Sequence, residues 1–177
     1  MWVKREAPVP AEDDVFRQSM RLLAGGVTIV ASAFEGKRSG LTATAVCSLA
    51  LTPPRILASI NVQGDTYGLV RHSLCMSINL LSLEHERLAR RFATHRAMLS
   101  EDRFGAGDWV QRLTGAPVLA DALAALDCRV TEIIPLDSHA ILIGTVEDVV
   151  FGPARPPLIH FQSHFTSVLD AAAETLT

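Results

Sequence analysis

The sequence predicts a mainly β protein whose antiparallel strands close into a small barrel with helices at its periphery. Six or seven β-rich segments follow one another along the 177 residues, and the helical segments fall irregularly between them. A tight turn at Glu35-Gly36-Lys37 joins two neighbouring segments and favours an antiparallel hairpin. Regular strand–helix alternation is missing, which disfavours a doubly wound parallel sheet, and connected antiparallel strands of this number close most easily into a barrel.

The first half of the chain opens with a predicted helix over residues 12–23. Three acidic residues at 12–14 place negative charge where the helix dipole favours it, and Phe16, Met20 and Leu23 form one apolar face. A glycine pair ends this helix. Apolar and β-branched residues then predict strands at 27–33, in the first half of 39–54, at 55–61 and at 74–80, with Thr66 capping a short helix over 67–72.

The second half contains one clear helix and three further predicted strands. Ser82 is the predicted cap of a helix over 84–94, and the polar segment 95–108 is expected to be a mobile loop. Strands are predicted at 122–134 and 139–150, joined by a turn at 135–138, and at 158–161. The Ala-rich tail from Leu169 is expected to be helical.

Composition indicates one compact domain over residues 12–168, between a flexible N-terminal arm (1–11) and a C-terminal tail (169–177). Hydrophobic residues make up 49% of the chain and charged residues 20%, which suits a globular protein. The mean hydropathy of +0.26 is high for a monomer of this size and favours a buried subunit interface, hence a homodimer.

Charge and cysteine content exclude several classes of function. The net charge of -3 argues against a nucleic-acid partner held by phosphate contacts. No apolar run reaches membrane-spanning length and no signal-peptide core precedes the domain, so we expect a cytoplasmic protein without a membrane partner. Cys47, Cys75 and Cys128 are widely spaced and odd in number, which predicts reduced thiols rather than disulfides or a zinc site.

The stretch from Ser39 to Pro54 is the strongest candidate for a binding site. Small apolar residues alternate with hydroxyl-bearing Thr42 and Thr44, and Ser48 continues the hydroxyl supply. Small side chains let a flat ligand approach the backbone, and hydroxyls donate to phosphate or ring carbonyl groups. The same pattern also suits a threonine-rich edge strand without a ligand.

Motifs for several common chemistries are missing. No dinucleotide-binding or phosphate-binding glycine pattern is present, and no nucleophile elbow. His160 and His164 lie four apart, but in a predicted strand-to-loop segment rather than a helix, so no metal site is predicted.

Six segments in register resemble the flavin reductase-like family, the small reductase components of two-component flavin-dependent monooxygenases. They are Gly40-Leu-Thr-Ala-Thr-Ala-Val-Cys-Ser, the Thr-Pro-Pro that follows, Cys75-Met-Ser-Ile-Asn-Leu-Leu, Leu88-Ala-Arg-Arg-Phe-Ala, Leu126-Asp-Cys-Arg-Val and His139-Ala-Ile-Leu-Ile-Gly-Thr-Val. The resemblance spans about Val15 to Val168. It implies an FMN-binding split barrel, usually homodimeric, that uses NADH or NADPH to reduce FMN, with FAD as the alternative flavin, for a monooxygenase partner.

The resemblance also implies which residues contact the ligands. The expected flavin-binding residues are Leu41, Thr42, Ala43, Thr44, Ala45, Ser48, Asn61, Thr66, Asn79 and Arg91, and the expected nicotinamide side comprises His139, as the catalytic residue, with His160, Phe161 and Phe165. Turn chemistry explains Asn61 and Thr66 equally well. Asn79 either reaches the flavin or satisfies backbone groups inside the barrel, and Arg91 either meets the phosphate or belongs to a solvated helix face.

The implied reaction explains why no acid–base pair or nucleophile is found. Hydride passes from the nicotinamide to the flavin, whose own chemistry carries the reaction, so the protein needs only to stack the two rings. Two other functions fit the same sequence: a non-catalytic FMN- or heme-binding carrier or sensor, and a β-barrel interaction protein without a ligand.

Overall fold

The computed structural model describes residues 9–94 and 99–168, which form a curled antiparallel sheet with three α-helices. The helices are α1 (Asp13–Arg21), α2 (Asp65–Ser73) and α3 (Glu86–Ala93), with 3-10 turns at Leu83–His85 and Glu101–Gly105. The strands are β1 (Gly25–Gly26), β2 (Thr28–Phe34), β3 (Lys37–Ala43), β4 (Val46–Leu51), β5 (Pro54–Asn61), β6 (Cys75–Leu80), β7 (Trp109–Gln111), β8 (Pro117–Leu119), β9 (Ala124–Pro135), β10 (His139–Phe151), β11 (Ile159–Phe161) and β12 (His164–Thr166).

Seven strands form the main sheet in the order β3-β2-β6-β9-β10-β5-β4, with every neighbouring pair antiparallel. The two edge strands, β3 and β4, are consecutive in the chain, and only Thr44 and Ala45 separate them. Three Cα–Cα steps from Ala43 to Val46 span at most about 11 Å. The sheet therefore curls until its two edges approach each other, as in a barrel split along one seam.

Alternation along the strands divides the core between the two sides of the sheet. Val30 packs inside the curled sheet with Ile60, Met76 and Leu142, all of them at most 1% exposed. Its neighbour Ile29 points the other way, into a second cluster. That cluster lies between the sheet, α3 and the segment Glu101–Gly105, and includes Leu81, Phe92, Phe104 and Leu119.

Helix α1 lies outside both clusters and buries none of its residues. Its apolar residues and those that follow it are instead exposed: Val15, Phe16, Met20, Leu22 and Leu23.

Six of the seven main strands and the three helices confirm predicted elements, with four differences. Strands β1, β4, β7, β8 and β12 were not predicted. The expected mobile loop at 95–108 is wrong for Glu101–Gly105, which is a 3-10 turn that buries Arg103 and Phe104, and residues 95–98 lie outside the described part of the chain. Thr66 is not the cap of α2, because the helix begins two residues earlier than predicted, at Asp65, with Gly64 as N-cap. The helix after Ser82 starts as a 3-10 turn.

Two expectations fall outside the described residues. Most of the N-terminal arm and the predicted tail helix lie in 1–8 and 169–177. Within the ranges 9–94 and 99–168, no helix is long and apolar enough to cross a membrane.

Candidate functional site

A polar cleft opens beside the seam, where β3, the end of β5 and the start of α2 meet the segment 100–103. Its volume is about 220 Å³. The residues that line it are Ser39, Leu41, Asn61, Gln63, Gly64, Asp65, Thr66, Ser100 and Arg103. Three of the predicted site residues, Leu41, Asn61 and Thr66, therefore share one cleft.

Arg103 places a buried positive charge at this cleft. The residue is only 6% exposed, and its guanidinium donates to the carbonyls of Gly40 (2.9 Å) and Thr94 (2.6 Å). Its buried Nε has no hydrogen-bond partner, and none of the carboxylates in the described part of the chain forms an ion pair with it. A buried cation without an anion is costly, so the arrangement favours an anionic ligand.

The start of α2 faces the same cleft and favours the same kind of ligand. The first amides of a helix have no intrahelical acceptor and carry the positive end of its dipole. Next to them, the buried Thr66 hydroxyl lies 2.9 Å from the Ser39 hydroxyl, which fixes α2 against β3. Helix amides, hydroxyls and a buried guanidinium together make a site that fits a phosphate group.

His139 lies next to the cleft through its strand pairing with Asn61, which lines the cleft. Asn61 at the end of β5 and His139 at the start of β10 are direct cross-strand partners, and both are exposed. One strand closer to the seam, the Ala45 carbonyl accepts a hydrogen bond from the Ser59 amide (2.9 Å). Sheet pairing therefore brings Ala45, Asn61 and His139 to one side of the barrel.

In the stretch from Leu41 to Ser48, some residues pack inside the protein and others are exposed to solvent. Ala43 is buried in the core, and the Thr42 hydroxyl donates to the Ala89 carbonyl of α3 (2.6 Å), so Thr42 anchors that helix. Thr44, Ala45 and Ser48 are exposed where the chain crosses from β3 to β4. Their hydroxyls and small side chains are accessible at the seam.

A second group of predicted residues meets at Thr44. His160 pairs with Gly25 in the small β1-β11-β12 sheet, and a Cβ on Gly25 would lie 3.0 Å from the Thr44 Cβ. The His160 and Phe165 rings are 5.7 Å apart and edge-on. Phe161, at the end of β11, is 36% exposed. His160 therefore lies near Thr44 at the seam, and Phe161 and Phe165 belong to the same small sheet.

The structure changes the roles of two predicted flavin-binding residues. Asn79 is fully buried; its Nδ2 donates to Ile29 O and Ser77 Oγ, and its Oδ1 accepts from the Leu119 amide. Both ends of the Asn79 amide therefore hydrogen-bond groups inside the protein, and Asn79 does not line the cleft.

Arg91 likewise contacts the protein itself. Its Nε and Nη2 donate to the carbonyls of Arg103 (3.0 Å) and Asp102 (2.5 Å). Arg91 therefore positions the turn that carries Arg103. The neighbouring Arg90 pairs with Glu86 (2.7 Å) and lies 4.8 Å above the Phe165 ring.

Arg103 is the site residue that sequence reasoning missed. It lies in a polar segment that we expected to be a mobile loop, and a single arginine there carries no periodic signal. The adjacent Phe104 was the available clue, since a large aromatic side chain usually marks a buried segment.

Electrostatics also hold this segment in place. Hydrogen bonding from Arg38, which joins β3 to the turn, lowers the pKa of Glu101 below its usual range.

Farther away, burial together with the charges of Asp127 and Glu147 raises the pKa of Cys128 to about 12. The described residues contain no group of three or more His, Cys, Asp or Glu arranged to hold a metal ion.

Comparison with known proteins identifies relatives across nearly the whole domain. Residues 20–169 match the family model described as flavin reductase like domain. The chain is 37% identical over 150 residues to an FMN reductase (NADH) RutF of Agrobacterium fabrum, covering 85% of each chain. It is 35% identical over 150 residues to the reductase component of 4-hydroxyphenylacetate 3-monooxygenase from Pseudomonas aeruginosa, covering 85% of this chain and 88% of the relative.

A solved structure shows the same fold. The crystal structure of a flavin reductase from Haemophilus somnus superposes with a TM-score of 0.85 at 34% identity, covering 89% of this chain and all of the other. The split-barrel architecture expected from the sequence is thereby confirmed.

Proposed function

The chain belongs to the flavin reductase-like family, and on that premise we propose that it is an NAD(P)H:flavin oxidoreductase that reduces FMN and supplies it to a monooxygenase. Its similarity to an FMN reductase (NADH) and to the reductase component of a monooxygenase supports the reaction and the kind of partner. FMN rather than FAD is the finer part of the proposal, with NADH or NADPH as the hydride donor.

One observation of the structure carries the proposal: the buried cation of Arg103 at a cleft with hydroxyls and a helix start. This donor set fits the phosphate of FMN, which carries charge close to -2 near neutral pH. We assign the phosphate to Arg103, Thr66, Ser39 and the first amides of α2.

The rest of the flavin then extends from the cleft along the seam. Asn61 lies between the phosphate end and His139, and contacts the ribityl chain in this arrangement. Leu41 and the exposed Thr44, Ala45 and Ser48 border the ring, where small side chains leave room for a flat ligand. When bound, the flavin supplies the redox chemistry, since it accepts the hydride that the reduced nicotinamide gives up.

The protein's own contribution is to position the nicotinamide against the flavin ring. His139 is exposed beside Asn61, and His160, in one small sheet with Phe161 and Phe165, pairs with Gly25 next to Thr44. We propose that these side chains hold the nicotinamide against the flavin ring, with His139 as a hydrogen-bonding group. Two stacked rings need no dinucleotide fold, in keeping with the absence of a glycine-rich phosphate motif.

We further propose that the protein is a cytoplasmic homodimer with the flavin near the subunit interface. The exposed apolar residues of the α1 segment (Val15, Phe16, Met20, Leu22 and Leu23) support an interface, because this segment otherwise leaves a large apolar patch in water. Reduced thiols at three cysteines fit a reducing compartment.

A steady-state assay of the purified chain tests the function. We expect oxidation of NADH or NADPH, followed at 340 nm, that depends on added FMN. Assays with FAD and riboflavin give the flavin preference. Tight flavin binding without turnover would contradict the reductase and support the carrier alternative.

A further inference from the structure

A carboxylate lines the same cleft as the buried cation of Arg103. Asp65 is the first residue of α2, and of the described residues that line the cleft only Asp65 and Arg103 carry a charge. The phosphate that we assign to this cleft therefore meets one positive and one negative side chain. The Arg103 cation attracts that phosphate and the Asp65 carboxylate repels it.

A hydrogen bond holds the Asp65 carboxylate at the cleft. The Ser100 hydroxyl donates to Oδ2 of Asp65 (2.6 Å), and both residues line the cleft. This bond joins the start of α2 to the segment that carries Arg103. The carboxylate is therefore fixed where the two elements that supply the phosphate contacts meet.

The Asp65 carboxylate is not neutralised by a cation of the described chain. Within residues 9–94 and 99–168, Asp65 forms no ion pair. Arg103 donates to the carbonyls of Gly40 and Thr94 rather than to Asp65. Because Asp65 is exposed, water and salt reduce its repulsion of a phosphate without removing it.

The start of α2 is shared between the carboxylate and a ligand. Gly64, the N-cap of α2, has no side chain that could accept from the first amides, so those amides are open to a ligand. Asp65 already places a negative charge in the first turn, where the helix dipole stabilises it. A phosphate at these amides therefore binds close to an existing negative charge.

We propose that Asp65 is a specificity-determining residue of the flavin site, whose carboxylate weakens the binding of the FMN phosphate and speeds the release of FMN. The inference rests on the proposed function, because it takes the cleft as the phosphate position. A reductase that supplies flavin to a separate monooxygenase has to release it. A carboxylate beside the phosphate weakens binding at that end and leaves the contacts to the flavin ring unchanged.

Fluorescence titration of the full chain with FMN and riboflavin tests the proposal. The quantity measured is the Kd of riboflavin divided by the Kd of FMN. Asp65→Asn removes the charge and keeps an acceptor for the Ser100 hydroxyl. We expect the ratio to rise by about three- to tenfold, since one exposed charge pair amounts to a few-fold and the phosphate carries close to two charges. The Kd of riboflavin should stay the same, and an unchanged or lowered ratio would overturn the proposal.

Two control variants separate the local charge from other effects. Asp65→Glu keeps the charge and should keep the ratio close to that of wild type. Glu132→Gln removes an exposed carboxylate of β9 that does not line the cleft, and it should leave the ratio unchanged. A rise in either control as large as that in Asp65→Asn would overturn the proposal. If Asp65→Asn melts well below wild type, Asp65→Ser decides in its place, and no rise in that variant rejects the role of Asp65.

The rate of release is measured by stopped-flow dilution of the FMN complex, followed by flavin fluorescence. FMN should leave Asp65→Asn about three- to tenfold more slowly than it leaves wild type, because changes of affinity within one site fall mostly on the dissociation rate. Riboflavin should leave both proteins at the same rate. Tighter FMN binding with an unchanged dissociation rate would contradict the role in release.

The proposed function and the role of Asp65 fail separately. Equal Kd values of FMN and riboflavin in wild type would contradict the phosphate site on which the inference rests. A wild type that prefers FMN, with no change of that preference in Asp65→Asn, contradicts the role of Asp65 alone. Neither binding measurement needs turnover, so a chain that oxidises neither NADH nor NADPH with any flavin contradicts the reductase independently.

Discussion

His139 combines exposure with a defined position in the sheet. It begins β10 opposite Asn61, and its Nδ1 lies 2.9 Å from the Ser138 hydroxyl. Hydride transfer needs the two reacting atoms within about 3–3.5 Å, so the loss of a contact that positions the nicotinamide cofactor should lower the rate of hydride transfer. We predict that His139→Ala lowers kcat/KM for NAD(P)H by roughly 10- to 100-fold, the scale of one or two hydrogen bonds to a charged group.

The same variant should change the Kd of FMN by less than about threefold, because the phosphate contacts lie elsewhere. Equal losses for both ligands would instead make His139 a residue that stabilises the barrel. If neither kcat/KM for NAD(P)H nor the Kd of FMN changes, the nicotinamide would have to bind near His160 and Phe165 instead.

The three cysteines should differ sharply in reactivity. Cys47 is exposed within the stretch that we propose borders the flavin ring, whereas Cys75 and Cys128 are buried and the pKa of Cys128 is raised to about 12. The thiolate is the reactive form, so only Cys47 should react quickly with a disulfide reagent near pH 8. We predict one fast thiol per chain, measured by absorbance, and at least roughly tenfold slower labelling with saturating FMN. Cys47→Ser should remove the fast phase; an unprotected Cys47 would place the flavin elsewhere.

At the scale of elements, the turn that carries Arg103 depends on a clamp between β3 and Glu101. Arg38 holds the pKa of Glu101 below its ordinary value, so the carboxylate stabilises the fold above about pH 4.5 and this contribution is lost as pH falls through the lowered pKa. The pair is partly exposed, so its contribution to the free energy of unfolding is at most about 1 kcal/mol.

Glu101→Gln tests the clamp. We predict that urea unfolding separates wild type from this variant near neutral pH and that the difference shrinks as pH falls through the lowered pKa of the carboxyl. FMN affinity should fall in the variant as the Arg103 turn loosens. A stability difference that stays constant with pH would mean that the carboxylate charge is not what matters.

Strong periodicity explains which elements could be predicted from sequence. Long strands such as β9 and β10 contain many apolar and β-branched residues over 12 and 13 positions, and the hairpin between β2 and β3 has its turn marked by Glu35-Gly36. Strands of three residues, such as β7 and β12, contain too few positions to show a period. The Glu101–Gly105 turn buries Arg103, a residue type that sequence patterns assign to the surface.

At the scale of the molecule, the site exists because the sheet curls. Ser39, Asn61, Arg103 and His139 are far apart in sequence and meet through strand pairing and the closure of β3 towards β4. Resemblance indicated the segment from Leu41 to Ser48, but pairwise contacts such as Thr42 to Ala89 and Asn79 to Leu119 depend on three-dimensional packing. Residue roles at the seam therefore follow from the fold and not from any one motif.

Assembly is the second property of the whole molecule. Light scattering after size exclusion should give about twice the 19.1 kDa chain mass. Phe16→Glu with Met20→Glu places charge on the exposed face of α1 and should yield a monomer with weakened FMN binding, whereas Arg17→Glu on the same helix is the control for added charge. A wild-type monomer that turns over flavin would contradict the dimer.

The most direct test of the flavin site compares FMN with riboflavin, which lacks the phosphate, in wild type and Arg103→Met. Fluorescence titration of wild type should show FMN bound roughly 10- to 100-fold more tightly, the scale of charge-assisted hydrogen bonds. Arg103→Met should abolish that ratio and leave riboflavin affinity nearly unchanged, Arg103→Lys should keep part of it, and Arg90→Met should keep all of it. If Arg103→Met folds and still prefers FMN by the wild-type ratio, the phosphate does not bind at Arg103 and the proposed site is contradicted.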